Sequence, residues 1–116
     1  MASPKLRSLV LIAICCLALA SKSNAECCRE TEEVIFKIAK GDCNDVKGIG
    51  YYRDECQIYV CANGSPVVGT YCGKGSCNIF GCNCDGGCLT GNWSQSFVQN
   101  NRFYGIEVVR ASRVPY

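Results

Sequence analysis

The chain has 116 residues, of which 12 are cysteine and none is histidine, and its formal net charge is +2. A chain so short and so near neutrality lacks the basic footprint that nucleic acid requires and the cationic excess with which lytic peptides reach anionic lipid. Without histidine it also lacks the usual general base, proton shuttle and metal ligand.

At the start of the chain, Lys5 and Arg7 precede an apolar run from Leu9 to Ala20, and Ser23-Asn24-Ala25 supplies small residues at −3 and −1. This is the pattern of a secretory signal peptide over residues 1–25. The run is well short of the roughly 20 residues that span a bilayer, so no membrane insertion is expected. Cleavage leaves Glu26 to Tyr116, a single disulfide-rich domain, and removes Cys15, Cys16, Lys5, Arg7 and Lys22. Nine basic residues then face ten acidic ones, for a net charge of −1. The ten remaining cysteines are Cys27, Cys28, Cys43, Cys56, Cys61, Cys72, Cys77, Cys82, Cys84 and Cys88. At that density, in a short chain sent to an oxidising compartment, they read as five disulfides. Each bridge contributes about 2–4 kcal/mol, so together they rival the roughly 5–15 kcal/mol of an ordinary domain. The expected product is secreted, extracellular and monomeric.

Cys27 and Cys28 are adjacent and point to opposite sides of an extended chain, so each is expected to pin the N-terminus to a different neighbour; a bond between them would be strained. Glu33 to Lys40 places Val34, Phe36 and Ile38 at period two and reads as a strand, the alternative being a short helix with Val34, Ile35, Ile38 and Ala39 on one face. A second strand is expected at Gly50-Tyr51-Tyr52-Arg53. Gln57 to Ala62 and Val67 to Cys72 flank Asn63-Gly64-Ser65-Pro66, the pattern of a β-hairpin on an Asn-Gly turn.

From Cys72 to Cys88 five cysteines fall within 17 residues, interleaved with glycines. Cys77, Cys82, Cys84 and Cys88 have the count of a zinc site. The missing histidine, the absent C-x2-C pairing and the oxidising compartment favour disulfides instead, so neither metal nor cofactor is expected. If extended, Cys82 and Cys84 point the same way, towards two adjacent partners on a neighbouring element. The glycines allow the close backbone approach that crossing bridges force. Ten cysteines admit on the order of a thousand pairings, and spacing alone does not choose among them.

Asn92 to Asn101 sets Trp93 and Phe97 four apart and fits a helix of two or three turns, capped by Asn92 or Ser94. After Gly105, Ile106 to Arg110 returns to strand chemistry. The sum is a small α+β domain, an antiparallel sheet covered by one short helix, with subdomains at about 26–71 and 72–116. Two sequons are present. Asn92-Trp93-Ser94 is the preferred N-glycosylation site, and Asn63-Gly64-Ser65 is disfavoured by Pro66. Tyr51, Tyr52, Phe80, Trp93, Phe103 and Tyr104 read as core or subdomain contacts. The acidic residues form no recognisable catalytic pair, and no catalytic residue is assigned.

The run GKGSCNIFGCNCDGGCLTGNW from Gly73 to Trp93, together with Cys27-Cys28 and GIEVV from Gly105, resembles the Diedel family of small secreted immune-regulatory proteins of insects, with relatives carried by insect DNA viruses. The resemblance covers essentially the whole mature chain. It implies an antiparallel sheet covered by a helix, two subdomains and five disulfides. It further implies a cytokine-like, non-enzymatic factor that dampens innate immune signalling through the immune deficiency pathway by contact with an extracellular or cell-surface protein receptor. No catalytic motif and no receptor-binding residue comes with it. The competing functions are a disulfide-stapled protease inhibitor, offering Asn63 to Val67 or Asn44 to Gly50 as a reactive loop with Lys47 at its tip, and an antimicrobial effector, which the net charge disfavours.

Overall fold

The computed structural model describes residues 26–69 and 71–115, so the leader expected over 1–25 lies outside the described residues. Four strands form one antiparallel sheet in the order β2-β3-β1-β4. They are β1 (Glu30–Ile38), β2 (Ile49–Gly50), β3 (Glu55–Val60) and β4 (Ile106–Pro115). Among the described residues one α-helix, α1 (Ser94–Asn100), covers a face of the sheet, and five disulfides complete an α+β fold.

β1 is central, with β3 on one side and β4 on the other. Its consecutive Val34, Ile35 and Phe36 are all buried, as a strand covered on both faces requires. It is a strand, not the alternative helix, and it ends where Gly41 takes a positive φ of 82°. β3 alternates cleanly, with Cys56, Ile58 and Val60 on the core side. β4 runs on to Pro115, well past Arg110. A bulge explains why its pattern is hard to read: Ile35 pairs with Arg110 but Phe36 with Val108, leaving Val109 as the extra residue.

Two expected strands are shorter than their sequences imply. Only Ile49–Gly50 pairs with β3, because the chain then turns: Glu55 N–H donates to the Tyr52 carbonyl and Arg53 adopts a φ of 55°. The Asn-Gly turn is present, with Gly64 at φ 81°, but its return arm is no strand. A single bridge joins Val60 to Pro66, and Val67 N–H donates to the Tyr59 carbonyl, after which Val68 is exposed. Proline has no N–H to extend the ladder. Gly64 also lies beneath α1, where a Cβ would come within 2.8 Å of the Ser96 Cβ.

The core comprises Val34, Phe36, Val46, Cys56, Ile58, Val60 and Phe97. α1 contributes Phe97, whose ring meets Phe36 edge-on with centroids 5.1 Å apart. The helix start departs from expectation. Trp93, at φ 56°, occupies the cap position, and neither Asn92 nor Ser94 caps with its side chain. The Ser94 N–H instead donates to Glu32 Oε1 of β1 at 2.8 Å, while Ser96 Oγ accepts from the Asn92 N–H. A buried carboxylate thus satisfies one of the helix's orphan donors. Its other oxygen lies 3.6 Å from Arg113 Nε, and the Arg113 guanidinium stacks 4.2 Å from the Trp93 ring centroid. Glu32→Ala is expected to cost about 1–3 kcal/mol, chiefly because it strands the Ser94 donor; the half-exposed Arg113 is solvated and adds little. Denaturant titration followed by the fluorescence of Trp93, the one tryptophan, measures this; a cost below about 0.5 kcal/mol would show the contact to be idle.

The disulfides join Cys27–Cys82, Cys28–Cys88, Cys43–Cys56, Cys61–Cys72 and Cys77–Cys84. Cys43–Cys56 ties a 3₁₀ turn (Cys43–Val46) to β3. The N-terminal segment is laid into the cysteine-rich segment: Cys28 N–H donates to Gly81 O, Cys72 N–H to Cys28 O and Asn83 N–H to Glu26 O. Cys82 and Cys84 do not share a direction or a neighbouring element, since Cys82 reaches the N-terminus and Cys84 reaches back to Cys77. Asn83 between them is left-handed at φ 53°, which breaks the alternation that an extended chain would impose. Gly73 has no room for a side chain, as a Cβ there would sit 2.6 Å from Cys84 Sγ. β4 follows this segment in sequence yet pairs with β1, so the sheet takes strands from both sides of residue 71.

Candidate functional site

All ten cysteine sulfurs of the described residues are held in disulfides, including those of Cys77, Cys82, Cys84 and Cys88. The sulfurs of Cys28, Cys77 and Cys84 lie within 4.8 Å of one another because two bridges are stacked. Disulfide sulfur is not the thiolate that binds a metal. Two carboxylates are committed to structure: Glu32 to the helix start, and Glu33 Oε2 to Gln57 Nε2 at 2.9 Å and the Tyr59 hydroxyl at 3.0 Å. Two surface features stand out among the described residues.

One such surface is the sheet face opposite α1. Partners in register share a face, so Ile49, Gln57, Ile35 and Arg110 form one row across all four strands, and Tyr59, Glu33 and Ser112 form the next. The Tyr51 hydroxyl comes 3.5 Å from an Arg110 guanidinium nitrogen. The two side chains reach from opposite edges of the sheet and close over Ile35, which is only 1% exposed. Beyond Tyr59 the face ends in a groove of about 350 Å³ lined by Thr31, Tyr59, Val114 and Pro115.

A second feature is the loop between Cys77 and Cys82. The Asn78 side-chain oxygen accepts from the Phe80 and Cys82 N–H groups, Gly81 N–H donates to the Asn78 carbonyl, and the Tyr71 hydroxyl donates to the Ile79 carbonyl at 2.7 Å. Gly81 takes φ 77° at the point where a Cβ would press into the Tyr71 ring, 2.6 Å from its Cε1. The Cys77–Cys84 and Cys27–Cys82 bridges close the base. The result is a stiff tip that holds two apolar side chains in solvent, Ile79 at 83% exposure and Phe80 at 65%.

Several aromatic residues expected inside are therefore outside. Tyr51, Tyr52, Phe80 and Phe103 are all exposed. Tyr52 lies under the Arg53 guanidinium, and Phe103 meets Tyr104 edge-on beneath the Lys40 ammonium. Each sits in a turn or a short 3₁₀ segment, where no strand period directs it to the core. The two sequons fall on one side of the molecule. Asn63 is half-buried, with its Oδ1 accepting from both the Ser65 N–H and the Ser65 hydroxyl, whereas Asn92 is exposed.

The proposed reactive loops do not resemble substrates. A protease reads an extended segment, but Lys47 is left-handed at φ 70° and closes a 3₁₀ turn, and the Asn63 turn is packed beneath α1. No helix among the described residues is long and apolar enough to cross a membrane.

Comparison with known proteins agrees across sequence and structure. The sequence model of the Diedel family matches residues 27–102. Protein Diedel of Drosophila melanogaster is 51% identical over 116 residues, covering 100% of both chains. A crystal structure of the CG11501 protein superposes with a TM-score of 0.74 at 52% identity, covering 77% of this chain and 96% of that one.

Proposed function

The chain belongs to the Diedel family, and from that premise we propose that it is a secreted, cytokine-like immune modulator that acts without catalysis, by binding an extracellular or cell-surface protein. Its effect is to dampen innate immune signalling through the immune deficiency pathway. The disulfide content supports an extracellular setting, with residues 1–25 removed on export and residues 26–116 acting as one domain.

The observation that carries the binding role is the Ile79–Phe80 tip. Two large apolar side chains held side by side in water are area that a partner can bury, and a loop held by two disulfides and the Asn78 hydrogen bonds loses little entropy on docking. Such pre-organised apolar anchors are what small ligands insert into partners. The test is binding of the purified mature chain to immune-responsive insect cells, read together with pathway output after bacterial challenge. Wild type is expected to bind saturably and lower that output. Phe80→Ala is expected to weaken binding by about 10- to 100-fold, or about 1.4–2.8 kcal/mol, with its unfolding midpoint unchanged. Absence of saturable binding by the wild type would rule out the ligand role, and full affinity of Phe80→Ala would move the contact away from the tip.

A further inference from the structure

On the helix side of the molecule lies a groove of about 400 Å³ between the Asn63 turn and α1. Its lining is uniform in chemistry: Thr90, Asn92, Gln95, Ser96, Gln99 and Asn100 all carry side chains able to hydrogen-bond, and none is charged. Planar amides and hydroxyls offer donors and acceptors together, which matches the hydroxyl and N-acetyl groups of a sugar. A phosphate or a cation would call for charge instead.

We infer that Asn92 carries an N-linked glycan and that the inner sugars of this glycan lie in that groove. Asn92 stands exposed on the groove's own rim, at the head of Asn92-Trp93-Ser94. Its backbone makes its hydrogen bonds, the N–H donating to Ser96 Oγ and the carbonyl accepting from the Gln95 N–H. The other sequon is poorly placed. Asn63 is half-buried, its Oδ1 is bound twice by Ser65, its carbonyl accepts from Asn100 Nδ2, and Pro66 follows its acceptor serine. A sugar leaving Asn92 along α1 passes Gln95 and Gln99, one helical turn apart on the same face. The glycan would shield the helix side and leave the sheet face opposite α1 clear.

The inference rests on export through the secretory pathway, where such glycans are added. Full-length protein is expressed in insect cells, and medium and cytosol are analysed by intact and peptide mass spectrometry. The expected result is secreted protein with glycan mass on the Asn92 peptide, removed by peptide-N-glycosidase to leave aspartate at that position. Asn92→Gln and Ser94→Ala are each expected to abolish it, and Asn63→Gln to leave it intact. Secreted protein bearing an unmodified Asn92 overturns the glycan while export stands; protein confined to the cytosol overturns both. The groove has its own readout. An endoglycosidase that cuts between the two innermost sugars is expected to act about tenfold more slowly on the folded than on the denatured glycoprotein, the equivalent of one or two hydrogen bonds. The double variant Gln95→Ala/Gln99→Ala is expected to erase that difference without changing occupancy. Equal rates for the folded and denatured wild type, or no effect of the double variant, overturn the seating in the groove.

Discussion

Phe36→Ala is expected to destabilise the oxidised protein by about 3–5 kcal/mol, the cost of emptying a fully packed aromatic site. Phe36 is completely buried on the central strand and meets Phe97, also completely buried, edge to face. The Phe97 ring is the side chain that α1 inserts into the core, so removing Phe36 takes away the helix's seat as well as its own burial. In a domain of about 90 residues this corresponds to a fall in Tm of more than about 12 °C. Thermal and guanidinium unfolding with all disulfides intact measure the effect, and Phe36→Leu, which keeps most of the volume, is expected to cost much less. A loss below about 1 kcal/mol for Phe36→Ala would mean that the bridges alone hold the sheet to the helix, and that the hydrophobic core is secondary.

The second large effect separates one disulfide from another. Cys28–Cys88 spans 60 residues and Cys77–Cys84 spans 7. Loop-closure entropy assigns about 4 kcal/mol to a loop of the longer span and about 2.5 kcal/mol to the shorter; because Cys27–Cys82 closes nearly the same loop as Cys28–Cys88, the larger cost appears only when both N-terminal bridges are removed. The variant lacking both, Cys27→Ser/Cys28→Ser/Cys82→Ser/Cys88→Ser, is therefore expected to lose clearly more stability than Cys77→Ser/Cys84→Ser. Its deficit is enlarged because Cys28 is buried and its backbone bonds to both Gly81 and Cys72. Matched denaturant curves of the two variants decide the matter. Equal losses would show that the N-terminal segment already holds its place in the unbridged chain, leaving the bridges little to restrain.

Much of the sheet is legible in the sequence because burial imposes a period. Val34, Phe36 and Ile38 mark β1, Ile58 and Val60 mark β3, and Trp93 with Phe97 marks α1. What escapes is set by partners distant in sequence. The carboxylate that meets the start of α1 comes from Glu32, 62 residues away, and no local capping rule reaches that far. The bulge at Val109 arises from how β4 meets β1, and the hairpin's return arm stops at Pro66 for want of an N–H. The candidate contact surfaces were less legible still. Phe80 reads as a core aromatic until the Asn78 hydrogen bonds and the Tyr71 hydroxyl are seen to hold its loop away from the core. The cysteine spacing reveals the staples without their partners, because one left-handed residue, Asn83, redirects Cys84.

The bridges from the N-terminus also set an order of events during synthesis. A chain emerges from its N-terminus at roughly 5–20 residues per second, so Cys27 and Cys28 are the first of the ten to appear. Their partners, Cys82 and Cys88, lie 55 and 60 residues further on. In the interval Cys43, Cys56, Cys61 and Cys72 all arrive, the first two able to close over 13 residues and the last two over 11. For several seconds the two leading thiols stand beside wrong partners while the right ones have yet to be made. Uncatalysed disulfide rearrangement takes minutes to hours, so an isomerase that keeps Cys27 and Cys28 exchangeable until the cysteine-rich segment has been made is expected to raise the yield of native protein.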